Sequence, residues 1–187
     1  MVNKIKFTKL DYMLIAIACI PTVLAIIYVH DINAQDGTLN DTLRIKGHFI
    51  LDAYHVDGTH FAHTEKDNLV VTNGFKGIGK LGWNANSGIS PSTYRYLAVG
   101  ATSTSPSSSD TALGSECGYS RQLTSSPTYS SAVITLSGTF TGASCTAVEV
   151  GVFDASSSGN MLSRQTYSAI TLGSSDSLVV TYTFTLS

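Results

Sequence analysis

Apolar and polar residues alternate with a period of two through the C-terminal half of the chain. Across Leu178–Leu186, the residues Leu178, Val180, Tyr182, Phe184 and Leu186 fall on one face, and Val179 falls with three threonines on the other. That is the pattern of a strand with one buried and one wet face. Five inward residues, each contributing roughly 1.5–3 kcal/mol on burial, predict a central strand. Residues 132–141 repeat the pattern, with Ile134, Leu136 and Phe140 opposite Thr135, Ser137, Thr139 and Thr141. Further strands are predicted over Arg95–Val99, Thr146–Phe153 and Met161–Ser168. The segments between them (SSPTYS, TGAS, DASSSGN, LGSSD) have turn composition. Together these predict a mainly β domain, an antiparallel β-sandwich of jelly-roll or immunoglobulin-like type.

Upstream, residues 43–56 and 59–66 flank Asp57-Gly58, a strong hairpin signal. A two-residue turn there would set Tyr54 opposite Phe61, His55 opposite His60 and Asp52 opposite His63. Ile50, Tyr54 and Phe61 would then share the core face. The short apolar run Asn68–Thr72 leads into NGFKGIGKLG, which reads as a loop or a poor helix.

The N-terminus follows a different pattern. Lys4, Lys6 and Lys9 precede an uncharged run from Tyr12 to Val29. As a helix rising about 1.5 Å per residue, that run spans roughly 27 Å, enough to cross a bilayer core. Lysines before it, and His30, Asp31 and Asp36 after it, orient residues 35–187 to the extracytoplasmic side. The segment reads either as a retained anchor, with membrane lipid as its partner through residues 12–29, or as a signal cleaved after Ala34. Both readings export the remainder.

Composition then divides the chain into three regions. Residues 1–34 form the membrane anchor or signal segment, 35–86 the hairpin and Gly-rich connector, and 87–187 the Ser/Thr-rich sandwich. The first 86 residues contain no Ser and the last 101 contain 25. Charged residues make up only 13% of the 187 and the net charge is −2. That balance argues against electrostatic binding of nucleic acid.

Few residue patterns carry chemistry. Gly74-Phe75-Lys76-Gly77-Ile78-Gly79-Lys80-Leu81 matches a phosphate-binding loop except at Leu81, where Ser or Thr should hold magnesium. GWNANSGIS makes a poor following helix, the segment lies outside the membrane, and repeated βαβ units are missing, so no nucleotide is expected. His55 and His60 would be cross-strand neighbours, and two imidazoles can hold zinc or copper. A third ligand is needed, and the expected register turns His63 to the opposite face, so no metal or other cofactor is expected. Ser is abundant, but there is no Gly-x-Ser-x-Gly elbow and no His after His63 to act as a base. Asp110, Glu116, Glu149, Asp154 and Asp176 read as caps, turn residues and ion-pair partners of Arg95, Arg121 or Arg164. No catalytic residue is therefore expected. Cys117 and Cys145 form either a disulfide adding roughly 3 kcal/mol or two buried thiols. Asn40-Asp41-Thr42 is a sequon, a glycosylation site where the exporting cell has that machinery.

Five stretches of the Ser-rich region, taken in order, resemble a β-sandwich module of virion and tail-associated structural proteins of tailed phages and related proviruses. Tyr96-Leu97-Ala98-Val99-Gly100 resembles that family's "YIALG" strand, and Asp110-Thr111-Ala112-Leu113-Gly114-Ser115-Glu116 its "DTAL–x–x–E" stretch. Ala147–Asp154 is similar to "ITEAGLFN", Met161-Leu162-Ser163-Arg164 to "MLAR", and Asp176–Tyr182 to the closing "D–x–LTVTW" strand. With Asn68–Gly74 as the opening segment, the likeness covers residues 68–187. Residues 43–72 also resemble repeated-hairpin surface proteins of some archaea. The resemblance implies a non-enzymatic assembly module, homo-oligomeric or packed against virion or lattice neighbours. A membrane segment departs from phage tail proteins and points instead to a membrane-containing virion or a cell surface. The alternative is an exported adhesin or ligand-binding β-domain, which needs an aromatic platform from Tyr94, Tyr96, Tyr119 and Tyr129. An exported hydrolase would need a concave pocket with convergent titratable groups.

Overall fold

Strict alternation along residues 177–186 produces a strand that hides one face. Leu178, Val180, Tyr182 and Phe184 are buried in β9 (Ser177–Leu186), and the residues between them are half-exposed. A computed structural model describes residues 45–84, 88 and 91–186. All of them belong to one unit, Leu43–Ser187. The protein is mainly β, with the further strands β1 (Ile45–Tyr54), β2 (His60–Val70), β3 (Tyr96–Gly100), β4 (Gln122–Leu123), β5 (Thr128–Ser130), β6 (Val133–Thr141), β7 (Cys145–Phe153) and β8 (Met161–Leu172). One helix, α1 (Thr72–Trp83), is present among the described residues. It is not long and apolar enough to cross a membrane, and residues 12–29 lie outside the described residues, as do Asn40 and the cleavage site after Ala34.

The strands form a single antiparallel sheet in the order β4-β3-β7-β8-β2-β1-β9-β6-β5. Its two edge strands, β4 and β5, are nearly consecutive in sequence, joined only by Thr124–Pro127. In a flat sheet at about 4.8 Å per strand they would lie almost 40 Å apart. Four linking residues reach less than about 20 Å. The sheet must therefore curl, and it does so as a half-barrel. The Thr124 hydroxyl donates to the Ser137 carbonyl on β6, holding the ends together. β5 falls in a segment whose composition reads as turn and β4 in none of the predicted strands, because two or three residues are too few to show a period.

β2 is the hinge of the curl. Its body pairs with β1, while Leu69 and Val70 alone pair with Arg164 and Ser163 of β8. Phe49 and Leu51 of β1, Phe140 of β6 and Tyr182 of β9 meet Leu97, Val150, Val152 and Ile170 from the other half in one core. The hairpin of residues 45–70 is thus built into the same sheet as the Ser-rich strands, with β1 paired to β9 along its length. The composition break between residues 86 and 87 does not mark a break in strand pairing.

The hairpin departs from its expected form at the turn. Val56 and Asp57 occupy the turn centre, the Gly58 amide donates to the His55 carbonyl, and Gly58 takes the left-handed conformation with φ +84°. Tyr54 pairs with His60, not Phe61, although Asp52 still faces His63. Phe61 is therefore an extra residue, a bulge. The core face is the odd one, with Phe49, Leu51 and Ala53 buried and Ile50 and Tyr54 only partly so.

The Gly-rich segment folds as α1 despite its low helix propensity. No side chain caps its start, and Asn84 ends it in the left-handed conformation. Tertiary packing explains two of the glycines. A Cβ on Gly74 would run into the Leu162 backbone carbonyl, and one on Gly77 into the Tyr94 hydroxyl. Backbone cannot give way as a side-chain tip can, so Gly74→Ala is expected to destabilise by about 1–3 kcal/mol, read as a lower urea midpoint at unchanged m-value.

Candidate functional site

The outer face of β3, β7 and β8 is covered by the long connection from β3 to β4, residues 101–121. Leu113 from that connection packs with Val71, Ala98, Phe153 and Met161 in a second small core. A fully buried Glu149 and a nearly buried Arg164 lie under the same cover. The Arg164 Nε donates to Glu149 Oε2 at 2.8 Å, its Nη1 to Asp110 Oδ2 at 2.7 Å, and its Nη2 to the Thr104 carbonyl at 3.0 Å. Glu149 also accepts from the amides of Thr102 (3.2 Å), Gly114 (3.2 Å) and Ser115 (3.0 Å). Burial pulls the Arg164 pKa down, but its bonds to Asp110 and Glu149 more than offset this and the net shift is upward. The guanidinium stays charged. The arrangement clamps a loop without secondary structure onto a sheet. Both carboxylates of the cluster are engaged, Glu149 by amides and Arg164 and Asp110 by Arg164.

Neighbouring polar groups act in the same way. Asp154 accepts from the amides of Ser92 (3.0 Å) and Asn160 (2.7 Å). The Arg121 guanidinium lies 3.6 Å from the Phe153 ring centroid, pairs with Glu116 and donates to the carbonyls of Ala155 and Ser158. Cys117 and Cys145 are joined in a disulfide with Cα atoms 6.0 Å apart, tying the end of the connection to the start of β7.

Histidines and carboxylates line the solvent side of the β1–β2 hairpin. His48 pairs with Asp67 at 2.8 Å, and His60 and His63 both reach Asp52 Oδ1, at 3.0 and 2.7 Å. The sequence reading placed His60 with His55 and turned His63 away. The Phe61 bulge changes this by resetting the alternation, so that His60 comes to the face of Asp52 and His63. The hydrogen bond from His63, opposed by partial burial and helped by His60, holds the Asp52 carboxyl below its ordinary range.

His55 instead reaches across to Asp176 in the β8–β9 turn, 3.0 Å away, and stacks on Phe61. That hydrogen bond, with one from the Gly173 amide, lowers the Asp176 pKa below its usual 3.8. A depressed carboxyl pKa contributes stability above the unfolded value, and this contribution disappears as pH falls through the folded value. The melting temperature of Asp176→Asn is therefore expected to lie below wild type at pH 5–7, with the gap narrowing as pH drops below about 3.8. Thermal melts over that range measure it.

The Tyr residues do not gather into a platform. Tyr129 is 72% exposed on β5, whereas Tyr94, Tyr96 and Tyr119 are partly buried, and the Tyr119 hydroxyl donates to the Ala143 carbonyl at 2.5 Å. Tyr94 lines an apolar cavity of about 440 Å³ with Ile78 and Leu81 of α1, Leu136 of β6 and Tyr182 and Phe184 of β9. Burial lifts the Tyr94 hydroxyl pKa to about 12, with the Asp154 charge adding to it, and burial lifts Tyr182 to about 12 as well. The phosphate-loop match lies within α1, so its amides from Phe75 onward point along the helix axis into helix bonds and do not ring an anion.

No protein-family model matches the chain, and no curated protein matches it.

Proposed function

We propose that this chain is a non-enzymatic structural protein, anchored in a membrane by residues 12–29 and displaying residues 35–187 on a virion or cell surface. In this reading the curled sheet is a β-sandwich module of the kind found in virion structural proteins. One observation carries it. Asp110, Glu149 and Arg164 come from three of the stretches that resemble the phage module, and they meet in one buried cluster that secures a loop. In this reading the three charges are the lock that holds the connection to the sheet. The Cys117–Cys145 disulfide supports an oxidising, extracytoplasmic setting. Exposed Leu123 and Tyr129 on the two edge strands offer contacts to neighbouring copies.

The test uses intact particles or cells that produce the chain. An impermeant amine reagent should label lysines after Lys46, alkaline carbonate should leave the chain with the membrane, and cross-linking should give multimers. A chain that is soluble in the cytosol and shielded from the reagent would refute display.

The apolar cavity beneath α1 favours a second reading, an exported domain that binds a small apolar ligand. Organic extraction of the purified native protein followed by mass spectrometry should then release a stoichiometric apolar compound, and an empty extract argues for the structural reading.

A further inference from the structure

We infer that Asp52, His60 and His63 form a surface binding site for a divalent transition-metal ion of the zinc class. Their ligand atoms already converge. Asp52 Oδ1 lies 3.0 Å from His60 Nε2 and 2.7 Å from His63 Nδ1, and all three atoms fall within 4.8 Å of one another. Tetrahedral ligands at about 2.0–2.2 Å from zinc sit a little over 3 Å apart, so only small side-chain rotations are required. Two imidazole nitrogens and one carboxylate oxygen are a borderline donor set, suited to zinc and copper and poorly suited to magnesium or calcium.

The scaffold is rigid where it matters. Asp52 and His63 face each other directly across the antiparallel β1–β2 ladder. His60 joins them because the Phe61 bulge turns it to their face, so the irregularity in the hairpin is what completes the set. All three side chains reach solvent, which leaves the fourth coordination position to water. The other two histidines of the hairpin differ in kind. His48 meets the carboxylates of Asp67 and Glu65, and His55 meets that of Asp176. Each brings a single imidazole and reads as an ordinary ion pair. The inference is independent of display, since it rests on the hairpin alone.

The experiment is calorimetric titration of the full chain, held in detergent, with zinc chloride in a non-coordinating buffer. One zinc ion per chain is expected. His60→Ala and His63→Ala should each weaken binding at least as much as loss of an outer-shell partner does, about 10–100-fold. His48→Ala should leave affinity unchanged. Thermal melts serve as a second readout, with zinc raising the melting temperature of wild type and of His48→Ala but not of the two ligand variants. The far-UV spectrum without metal checks that all variants fold, and exposed side chains on a paired ladder should allow it. Absence of zinc uptake by the wild-type chain, or wild-type affinity in folded His60→Ala and His63→Ala, would overturn the site.

Discussion

Arg164→Met is expected to remove about 3–5 kcal/mol of unfolding free energy, a large share of the stability of a domain this size. The loss comes from what remains behind. With the guanidinium gone, Glu149 is a fully buried carboxylate whose main countercharge is missing, and Asp110 loses its 2.7 Å partner. Buried ion pairs elsewhere can often be exchanged for apolar residues at no cost. Here that exchange is expected to fail. Glu149 also receives the amides of Thr102, Gly114 and Ser115, and an apolar side chain at 149 would orphan all three. Each orphaned amide costs about 1–3 kcal/mol. The double variant Glu149→Leu/Arg164→Met should therefore be no more stable than Arg164→Met alone. Urea denaturation of the two variants beside wild type measures both claims, and full recovery in the double variant would show that the amides find other partners.

The strands were legible where one face is dry and the other wet. β9 alternates along most of its length and β6 from Leu136 onward, and their buried residues are ones the period selects. β1 was misread because Phe49, Ile50 and Leu51 are consecutive apolar residues, so hydrophobicity alone does not choose a face. His48 and Asp52 settle it, since both lie on the even face and both are polar and solvent-facing. The bulge at Phe61 could not be read because Asp57-Gly58 suits a two-residue turn as well as the three-residue one observed, and the two differ by one register step. That step decides whether His60 joins Asp52. The 101–121 connection has no period at all. Its position is set by Asp110 within it and by charges on two strands, and only the single charged residue in each of those strands, Glu149 in β7 and Arg164 in β8, points to it in the sequence.

Replacing Cys117 and Cys145 together by alanine is expected to cost about 3–4 kcal/mol, the loop-closure value for a separation of 28 residues. The bridge holds the same connection that Arg164 holds, from its other end. Cys117 is buried, its amide donates to the Val99 carbonyl, and its sulfur reaches Cys145 at the start of β7. Two clamps on one loop are not independent. Once either is lost, the loop can lift and the remaining clamp has less to stabilise, so the losses from Arg164→Met and from the cysteine pair should sum to less than additive in a double-mutant cycle. Additivity within about 0.5 kcal/mol would instead mean that the loop is held at two separate points. The same magnitude bears on the proposed extracytoplasmic placement. A domain with about 5–15 kcal/mol in total that loses 3–4 on reduction would be marginal in a reducing cytosol and secure outside it. Urea midpoints with and without reductant should then differ for wild type and coincide for the alanine pair. A wild-type midpoint unmoved by complete reduction would remove the bridge as a reason for placing this domain outside the cell.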